Sequence, residues 1–223
     1  MVFEGVTIPS NPLLETLLLR LRDKSTPLPE FRKLVEEIGQ FLAYEISKEL
    51  PQTWKCVETP LGKACGRHVE TSSVVLVTVL RAGLPLAWGM LRVWNSARVG
   101  FIVARRVEEH VERVGDRLVF DVEIGYIKLP EIRAGRDLVV IVDPMLATGS
   151  TLCRVLDIVY RYNPMRIVVA SVIAARDGVE RLRECSNKFN VGVHLYVVAI
   201  DEQLNDKGFI VPGLGDAGDR AFG

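Results

Sequence analysis

The chain has 223 residues, of which 48% are hydrophobic and 25% are charged. That size and balance allow one globular domain, spanning residues 1–223, with a sizeable core. Lys plus Arg and Asp plus Glu each number 28, so the formal net charge is zero. A balanced chain without a basic block argues against a nucleic-acid binder and against a polybasic membrane anchor.

Hydropathy and cysteine usage point to the cytoplasm. The longest largely apolar run, IVVASVIAA from Ile167, is far shorter than the ~20 residues of a membrane span. The first segment, MVFEGVTIPS, has neither a basic nor an apolar stretch, so we expect no secretion signal. The four cysteines form no C-x-x-C motif, and we expect them to be reduced. They are Cys56, Cys65, Cys153 and Cys185.

Two helices are predicted within residues 1–50. Asn11 followed by Pro12 is typical of a helix N-cap with proline at the first helical position. A second helix is predicted to begin near Pro29, because apolar residues then recur at helical spacing. That buried stripe comprises Phe31, Leu34, Val35, Ile38, Phe41 and Leu42. We interpret both helices as packing elements.

The middle of the chain predicts a parallel sheet. The segment WKCVETPLGKACGRHVE alternates on either side of Pro60-Leu61-Gly62, which indicates a hairpin. Five nearly continuous apolar runs follow, several of them separated by amphipathic segments: SVVLVTVL, RVGFIVARR, RDLVVIVD, RIVVASVIAA and VHLYVVAID. Strands that are apolar on both faces and alternate with helices predict an α/β fold, with helices on both faces of a parallel sheet.

Two segments break this alternation. Residues 105–136 are charged and partly alternating, which favours an inserted hairpin or a mobile flap. Residues 201–223 are rich in glycine and aspartate and show no period. A frayed terminus is the simplest reading of such a tail. Against it, the apolar stretch Phe209-Ile210-Val211-Pro212 is able to pack and to hold the glycines against the body.

The segment VVIVDPMLATGST, residues 139–151, predicts an anion site. Ligands of open parallel sheets bind beyond the carboxyl ends of the strands, where Asp143 is expected. Ser150 begins the next predicted helix, and the unpaired N–H groups of a helix N-terminus attract anions. Gly149 allows close approach of the backbone, and the neighbouring hydroxyls add donors. The alternative, a helix capped by Ser150 with nothing bound, is equally compatible with the local pattern.

Other motifs are absent or weak. No G-K-[ST] occurs, so there is no Walker A loop. The tail contains a formal G-x-G-x-x-G at Gly213, Gly215 and Gly218, but no helix of a dinucleotide fold can follow it. The histidines lack metal-ligand spacing and are interpreted as structural or solvated: His68, His110 and His194. Arg81, after an apolar strand, is either a solvated loop residue or an anion ligand.

Six segments, in this order and spacing, resemble the uracil phosphoribosyltransferase family. They are VETPLG (57–62), LRAGLPL (80–86), Arg106 with EE (108–109) in the flap, KLP (128–130), DPMLATGST (143–151) and NDKGFIVPGLGDAGDRAFG (205–223). The N-terminal helices match less distinctively. One departure is visible: Ser150 stands where many bacterial members have a second glycine, which reduces backbone freedom but keeps the donors.

The resemblance implies a type I phosphoribosyltransferase fold and a pentosyltransferase of pyrimidine salvage. Such an enzyme transfers the phosphoribosyl group of PRPP to uracil, giving UMP and diphosphate, with Mg²⁺. The resemblance also implies a homodimer or homotetramer, and regulation in some members by a nucleotide such as GTP or CTP. In this family residues 105–136 would form a flap, and residues 201–223 a hood over the base.

The family's binding residues carry over position by position. PRPP would be bound by Arg81, Arg106, Asp143, Pro144, Met145, Leu146, Ala147, Thr148, Gly149, Ser150, Thr151 and Asp216. Uracil would be bound by Ile210, Gly215, Asp216 and Ala217. The catalytic roles would fall to Arg81, Arg106 and Asp216. Mg²⁺ would arrive on PRPP, and no direct protein ligand is assigned to it.

Three rival functions fit the sequence less well. A regulator that kept the fold and binds RNA or an operator would need a basic face, which zero net charge disfavours. A phosphoribosyltransferase for another base, such as xanthine or guanine, is the nearer competitor, but the segment GLGDAGD favours uracil. A fused nucleoside kinase is excluded by the missing Walker loop.

Overall fold

The structure is a computed structural model that describes residues 5–115 and 117–223. The side chains of residues 108–111 and 114 lie outside this description. Two features named from the sequence therefore cannot be placed: the glutamate pair at 108–109, and the side chain of His110.

The described elements alternate between strands and helices along most of the chain. The strands are β1 (Val6–Thr7), β2 (Gln52–Thr59), β3 (Gly62–Val69), β4 (Val74–Leu80), β5 (Arg98–Val114), β6 (Arg117–Lys128), β7 (Leu138–Val142), β8 (Met145–Leu146), β9 (Arg166–Ala175), β10 (Val193–Asp201), β11 (Gln203–Leu204) and β12 (Ile210–Val211). The helices are α1 (Pro12–Arg22), α2 (Leu28–Ile46), α3 (Leu84–Val93), α4 (Ser150–Tyr160), α5 (Arg176–Ser186) and α6 (Ala217–Phe222).

The main sheet is almost entirely parallel. Its strand order is β1-β10-β9-β7-β4-β5-β6, with β8 pairing beyond β7 along β9. Only β5 and β6 pair antiparallel, at one edge. The five apolar runs therefore form β4, β5, β7, β9 and β10, as predicted. The two-residue strand β1 was not predicted, because so short a segment carries no period.

Two apolar layers cover the sheet. Alternate residues of the central strands face α1, α2, α3 and α6 on one side. The intervening residues face α4 and α5 on the other side. Because every central strand is buried on both faces, none of them can show the polar alternation of a half-exposed strand. The predicted α/β class, with helices on both faces of a parallel sheet, is confirmed.

The N-terminal helices begin where the sequence indicated. The Asn11 side chain accepts a hydrogen bond from Leu13 N and caps α1. Helix α2 begins one residue before Pro29. Its predicted stripe is buried except for Phe41, which is only partly covered. Within the described residues, no helix is long and apolar enough to cross a membrane.

The expectation of reduced cysteines is wrong. Cys56 and Cys65 are direct cross-strand partners in the β2–β3 hairpin and form one disulfide. Cys153 of α4 and Cys185 of α5 form the second, between two helices that pack side by side on one face of the sheet. Motif spacing in the sequence shows neither pairing, because strand register creates the first and helix packing creates the second.

The C-terminal tail is packed rather than frayed. Leu214, Ala217 and Ala221 are buried in the same core layer as α2 and α3. A short hairpin, β11–β12, precedes the six-residue helix α6. The tail is therefore less irregular than its composition suggested, because main-chain hydrogen bonds supply the order that an apolar period would otherwise reveal.

Candidate active site

An open cavity of about 500 Å³ lies at the carboxyl ends of the parallel strands. Three regions meet there: the loops after β4 and β7, the flap strand β5, and the hood at residues 201–223. Parallel pairing places the ends of β4 and β7 at the same edge, so Arg81 and Asp143 both line this cavity. Its volume suits a ligand of metabolite size.

The phosphate loop, defined here as residues 143–151, leads from β7 into α4. Ser150 begins α4, and Gly149 before it has a left-handed backbone with φ of 80°. A Cβ atom at 149 would lie 3.1 Å from Arg181 Cβ and 3.2 Å from Gly178 O, both on α5. The sequence interpretation gave close approach to a ligand as the reason for this glycine. The structure adds two others, the left-handed turn and the tight packing against α5.

Asp143 lies at the floor of the cavity, where protein atoms surround it and one side opens to the cavity. Its carboxylate accepts a hydrogen bond from Met145 N at 3.2 Å. Burial raises the pKa of Asp143 to about 7, while that hydrogen bond and the charge of Arg106 act in the opposite direction. The carboxyl group can therefore exchange its proton near neutral pH, and a cation in the cavity would favour its ionised form.

Arg106 extends from the flap strand into the cavity between two phenylalanines. Its guanidinium carbon lies 5.2 Å from the ring centre of Phe120 and 5.7 Å from that of Phe209. Contacts of this kind orient a guanidinium while leaving its N–H donors available for an anion. Phe120 belongs to β6 and Phe209 to the hood, so this one side chain connects the flap with the hood.

Arg81 connects the loop after β4 with the end of the chain. Its Nη2 donates to Asp219 Oδ1 at 2.8 Å, and Nη1 lies 3.5 Å from Gly223 O. Both side chains are largely exposed, at 58% and 67%, so this ion pair is expected to contribute little to stability. A multiply charged phosphate in the cavity could draw Arg81 away from Asp219 at small cost.

The hood places a tightly turned stretch of main chain at the mouth of the cavity. Gly215, Asp216, Ala217 and Gly218 line it. Asp216 also caps α6, because its carboxylate accepts from Asp219 N at 2.9 Å. Gly215 has φ of 73°, a left-handed value that turns the chain toward the cavity.

Most of the predicted binding residues meet at this cavity, but three of them do not line it. Pro144 is buried, and its carbonyl accepts from Val172 N and Ile173 N. Ile210 is buried in the core layer. The Ser150 hydroxyl accepts from Phe120 N at 3.1 Å, so it supports the flap strand.

The cavity also has walls that the sequence did not indicate. These residues are Val79, Leu80, Ala82, Val103, Ala104, Arg105, Leu152, Gly208, Phe209 and Gly218. Of these, Phe209 carried a usable signal, because it opens the apolar stretch of an otherwise polar tail. Apart from Arg105, the others are apolar strand or loop residues whose position becomes visible only when the strand ends are assembled.

Comparison with known proteins identifies the family. The sequence model described as uracil phosphoribosyltransferase matches residues 8–223. A uracil phosphoribosyltransferase of Thermococcus kodakarensis is 44% identical over 224 residues, covering 99% of this chain and 92% of that protein. One of Pyrobaculum arsenaticum is 45% identical over 208 residues, covering 92% of this chain and 93% of that protein.

A solved structure shows the same fold over nearly the whole chain. The AQ2163 protein of Aquifex aeolicus matches with a TM-score of 0.85 and 36% identity, covering 97% of each chain. The match extends over the sheet, the helices and the hood together, and the fold is that of type I phosphoribosyltransferases. The chain therefore belongs to the uracil phosphoribosyltransferase family, pentosyltransferases that transfer the phosphoribosyl group of PRPP to uracil and yield UMP and diphosphate.

Proposed function

We propose that uracil phosphoribosyl transfer takes place in the 500 Å³ cavity, with PRPP on the strand-end side and uracil under the hood. The observation that carries this proposal is the meeting of three features at one cavity. These are the N-terminus of α4, the Arg106 guanidinium and the tightly turned main chain of the hood. The first two suit an anionic sugar phosphate, and the third suits a planar base that is read by hydrogen bonds.

The 5′-phosphate of PRPP binds at residues 148–151. Unpaired N–H groups and the dipole at the start of α4 favour an anion there. The hydroxyl of Thr151 adds a donor, whereas the Thr148 hydroxyl donates to Ser150 Oγ and the Ser150 hydroxyl accepts from the flap. Asp143 faces the ribose hydroxyls from the floor. When ionised it accepts their hydrogen bonds, and its pKa near 7 makes that form accessible at neutral pH.

Arg81 and Arg106 bind the diphosphate as it leaves. Breaking the glycosyl bond produces an oxocarbenium-like ribosyl centre and concentrates negative charge on the diphosphate. Two guanidinium groups at the cavity stabilise that charge, so catalysis is mainly electrostatic and positional. Arg81 exchanges its contact with Asp219 for the diphosphate. We assign no general base.

Mg²⁺ fits the carboxylates present. Among the described residues, no group of three or more His, Cys, Asp or Glu side chains could hold a metal ion by itself. Mg²⁺ commonly binds through one or two carboxylates together with substrate phosphates, and it keeps several waters. Asp216, exposed at the cavity, is placed to face the metal on PRPP. Mg²⁺ bound there would neutralise part of the diphosphate charge.

The hood reads uracil mainly through its main chain. Uracil offers O4 as an acceptor and N3–H as a donor, whereas cytosine presents an amino group and a bare N3. Main-chain groups of residues 215–217 can supply one donor and one acceptor, which cytosine would leave mismatched. Buried partners left unpaired in this way weaken binding strongly. Ile210 supports the hood from the core and does not line the cavity.

We also propose that the protein is a homo-oligomer. The β2–β3 hairpin is exposed along nearly its whole length, although a two-stranded hairpin alone is marginally stable. Trp54 is 70% exposed and Leu61 is fully exposed at its tip. Apolar side chains presented on such an arm suit the surface of a second copy.

A second, smaller cavity bears on the question of nucleotide regulation. A cavity of about 280 Å³ near the N-terminal helices contains Lys48, which pairs with Glu45. That single basic side chain gives poor support for GTP or CTP, so we assign no regulatory nucleotide to it.

We place the enzyme in the cytoplasm, because PRPP is a multiply charged phosphosugar that does not cross membranes. The two disulfides argue against this location, because disulfides are typical of oxidising compartments.

The proposed reaction predicts UMP formation from labelled uracil and PRPP, with cytosine and guanine as controls. We expect uracil to be preferred over cytosine by about 10⁴ in kcat/KM, because the hood is built to bond both O4 and N3–H. Efficient transfer to guanine would show that the substrate is a purine base rather than uracil. RNA binding without transfer to any base would instead favour the regulator.

The phosphate loop predicts a selective loss in Gly149→Val. The left-handed φ and the contact with Arg181 would displace the loop, so we expect PRPP affinity to fall on the order of 10²-fold. Gly135→Val is the matched control, because Gly135 has φ of 65° and open space around its Cβ position. Calorimetry of both folded variants measures the difference. Equal PRPP affinity in the two would remove residue 149 from the binding site.

The flap predicts a loss of turnover in Arg106→Ala. We expect kcat to fall about 10²- to 10³-fold with a smaller change in uracil KM, because the charge acts on the leaving diphosphate. Arg106→Lys should retain only part of the wild-type kcat, since a point charge cannot replace a guanidinium fork. Arg117→Ala is the control, because Arg117 belongs to the flap strand β6, pairs with Glu184 and does not line the cavity. Near wild-type kcat in Arg106→Ala would exclude Arg106 from the mechanism.

Asp143 predicts a pH-dependent stability of the ligand-free protein. The pKa of Asp143 is raised from 3.8 to about 7 in the fold. The contribution of the protonated carboxyl group to the stability of the folded protein is therefore present below pH ~4 and is lost as pH rises through 7. Asp143→Asn should therefore raise Tm, by about 4 °C or more at pH 8 and by much less at pH 4.5. Thermal unfolding at the two pH values checks this. A Tm difference that is independent of pH would show that the fold does not raise the pKa of Asp143.

A further inference from the structure

An ion pair outside the cavity connects the first helix with the hood. Arg22, the last residue of α1, donates from Nη1 to Asp201 Oδ2 at 2.8 Å and from Nη2 to Asp201 Oδ1 at 2.6 Å. Two parallel bonds of this kind form the strong bidentate geometry of arginine with a carboxylate. The side chains are 20% and 8% exposed. Neither residue lines the cavity.

The same pair binds both backbone groups of one hood residue. Gly213 N donates to Asp201 Oδ2 at 3.0 Å, and Arg22 Nη1 donates to Gly213 O at 3.0 Å. These bonds form a closed ring that fixes the orientation of Gly213. The residue lies in a tight reversal: its φ is 62°, and an added Cβ would lie 2.0 Å from Ile210 O. Two residues later, Gly215 reaches the cavity.

The burial of this pair sets it apart from other ion pairs near the hood. Arg81–Asp219 and Arg20–Glu30 are largely exposed, so water can replace either partner. Removing Arg22 would instead leave the Asp201 carboxylate poorly solvated, and the Gly213 carbonyl would lose its donor. The local main chain would then shift until other groups satisfied them.

We propose that Arg22 and Asp201 are positioning residues for uracil. By binding Gly213 N and Gly213 O, the pair sets the place of the main-chain groups at 215–217 that read the base. This inference rests on the proposed placement of uracil under the hood. The phosphate loop and Arg106 belong to other elements, and Asp216 is the one hood residue assigned to PRPP. PRPP binding should therefore change much less than uracil binding. Shifts of about 1 Å in groups that orient a substrate can lower rates on the order of 10²-fold.

The first test is Arg22→Ala. Uracil KM and kcat are measured at saturating PRPP, PRPP Kd by calorimetry, and Tm by thermal unfolding. We expect uracil KM to rise about 10- to 100-fold while PRPP Kd changes by less than about twofold. The preference for uracil over cytosine should fall as well. Arg20→Ala is the control on the same helix, because its partner Glu30 is exposed and neither side chain has a described bond to the hood. It should leave uracil KM unchanged.

Arg22→Lys separates positioning from stability. A lysine can pair with Asp201, but its point charge cannot reproduce the fork that binds Asp201 and Gly213 O together. We expect Tm to recover most of the loss seen with alanine, while uracil KM stays raised at least about fivefold. This variant also keeps the test decisive if Arg22→Ala fails to fold.

Asp201→Asn tests the other partner against a neighbouring control. The asparagine keeps an acceptor for Gly213 N but loses the charge that binds Arg22, so its uracil KM should also rise. Glu202→Gln removes the adjacent carboxylate, whose partner Arg176 is at the surface, and it should behave as wild type. The comparison separates loss of the pair from a general loss of negative charge.

The outcomes are distinguishable. If the wild type forms no UMP from uracil, the proposed function fails and this inference fails with it. If the wild type forms UMP and Arg22→Lys keeps the wild-type uracil KM, the positioning role alone is overturned. A parallel rise of uracil KM and PRPP Kd in Arg22→Lys and Asp201→Asn would also overturn it, because it would indicate a general disturbance of the site.

Discussion

Parallel pairing of β4, β7, β9 and β10 is the constraint on which the rest of the structure depends. Because the strands run in one direction, the loops that follow them emerge at a single edge. The same pairing requires connections that cross over the sheet, and the helices that make them cover both faces. The buried sheet and the cavity at its edge are therefore two consequences of one arrangement.

The hood depends on the N-terminal helices as much as on the sheet. Arg220 donates to the carbonyls of Leu21 and Asp23 at the end of α1, and its guanidinium lies 4.4 Å from the ring centre of Phe31. Arg32 of α2 donates to Ala221 O at 3.0 Å. Helices first interpreted as packing elements thus place the last residues of the chain. Burial lowers the pKa of Arg220, which is consistent with its position between the helices and the hood.

Arginines serve two different purposes around the cavity. Arg22 and Arg220 bind main-chain carbonyls of the hood region from partly buried positions, where their donors are satisfied by the protein itself. Arg81 and Arg106 lie at the cavity, where an exposed ion pair and aromatic rings orient them. A guanidinium suits both roles, because it stays charged and offers several donors in one plane.

Contiguous sequence patterns were sufficient for the α/β class, the five main strands, the turn from β7 into α4 and the family. The class, the strands and the turn depend on residues within a few positions of one another, where periodicity and motif spacing report directly on local geometry. The family depends on several such short segments in a fixed order. The interior direction of Arg106 between two phenylalanines, the engagement of Ser150 with Phe120, and both disulfides were decided by the tertiary structure. So was the bond between Arg22 and Asp201, which are 179 positions apart. No local pattern encodes such a contact, because it exists only after helix, sheet and hood have packed together.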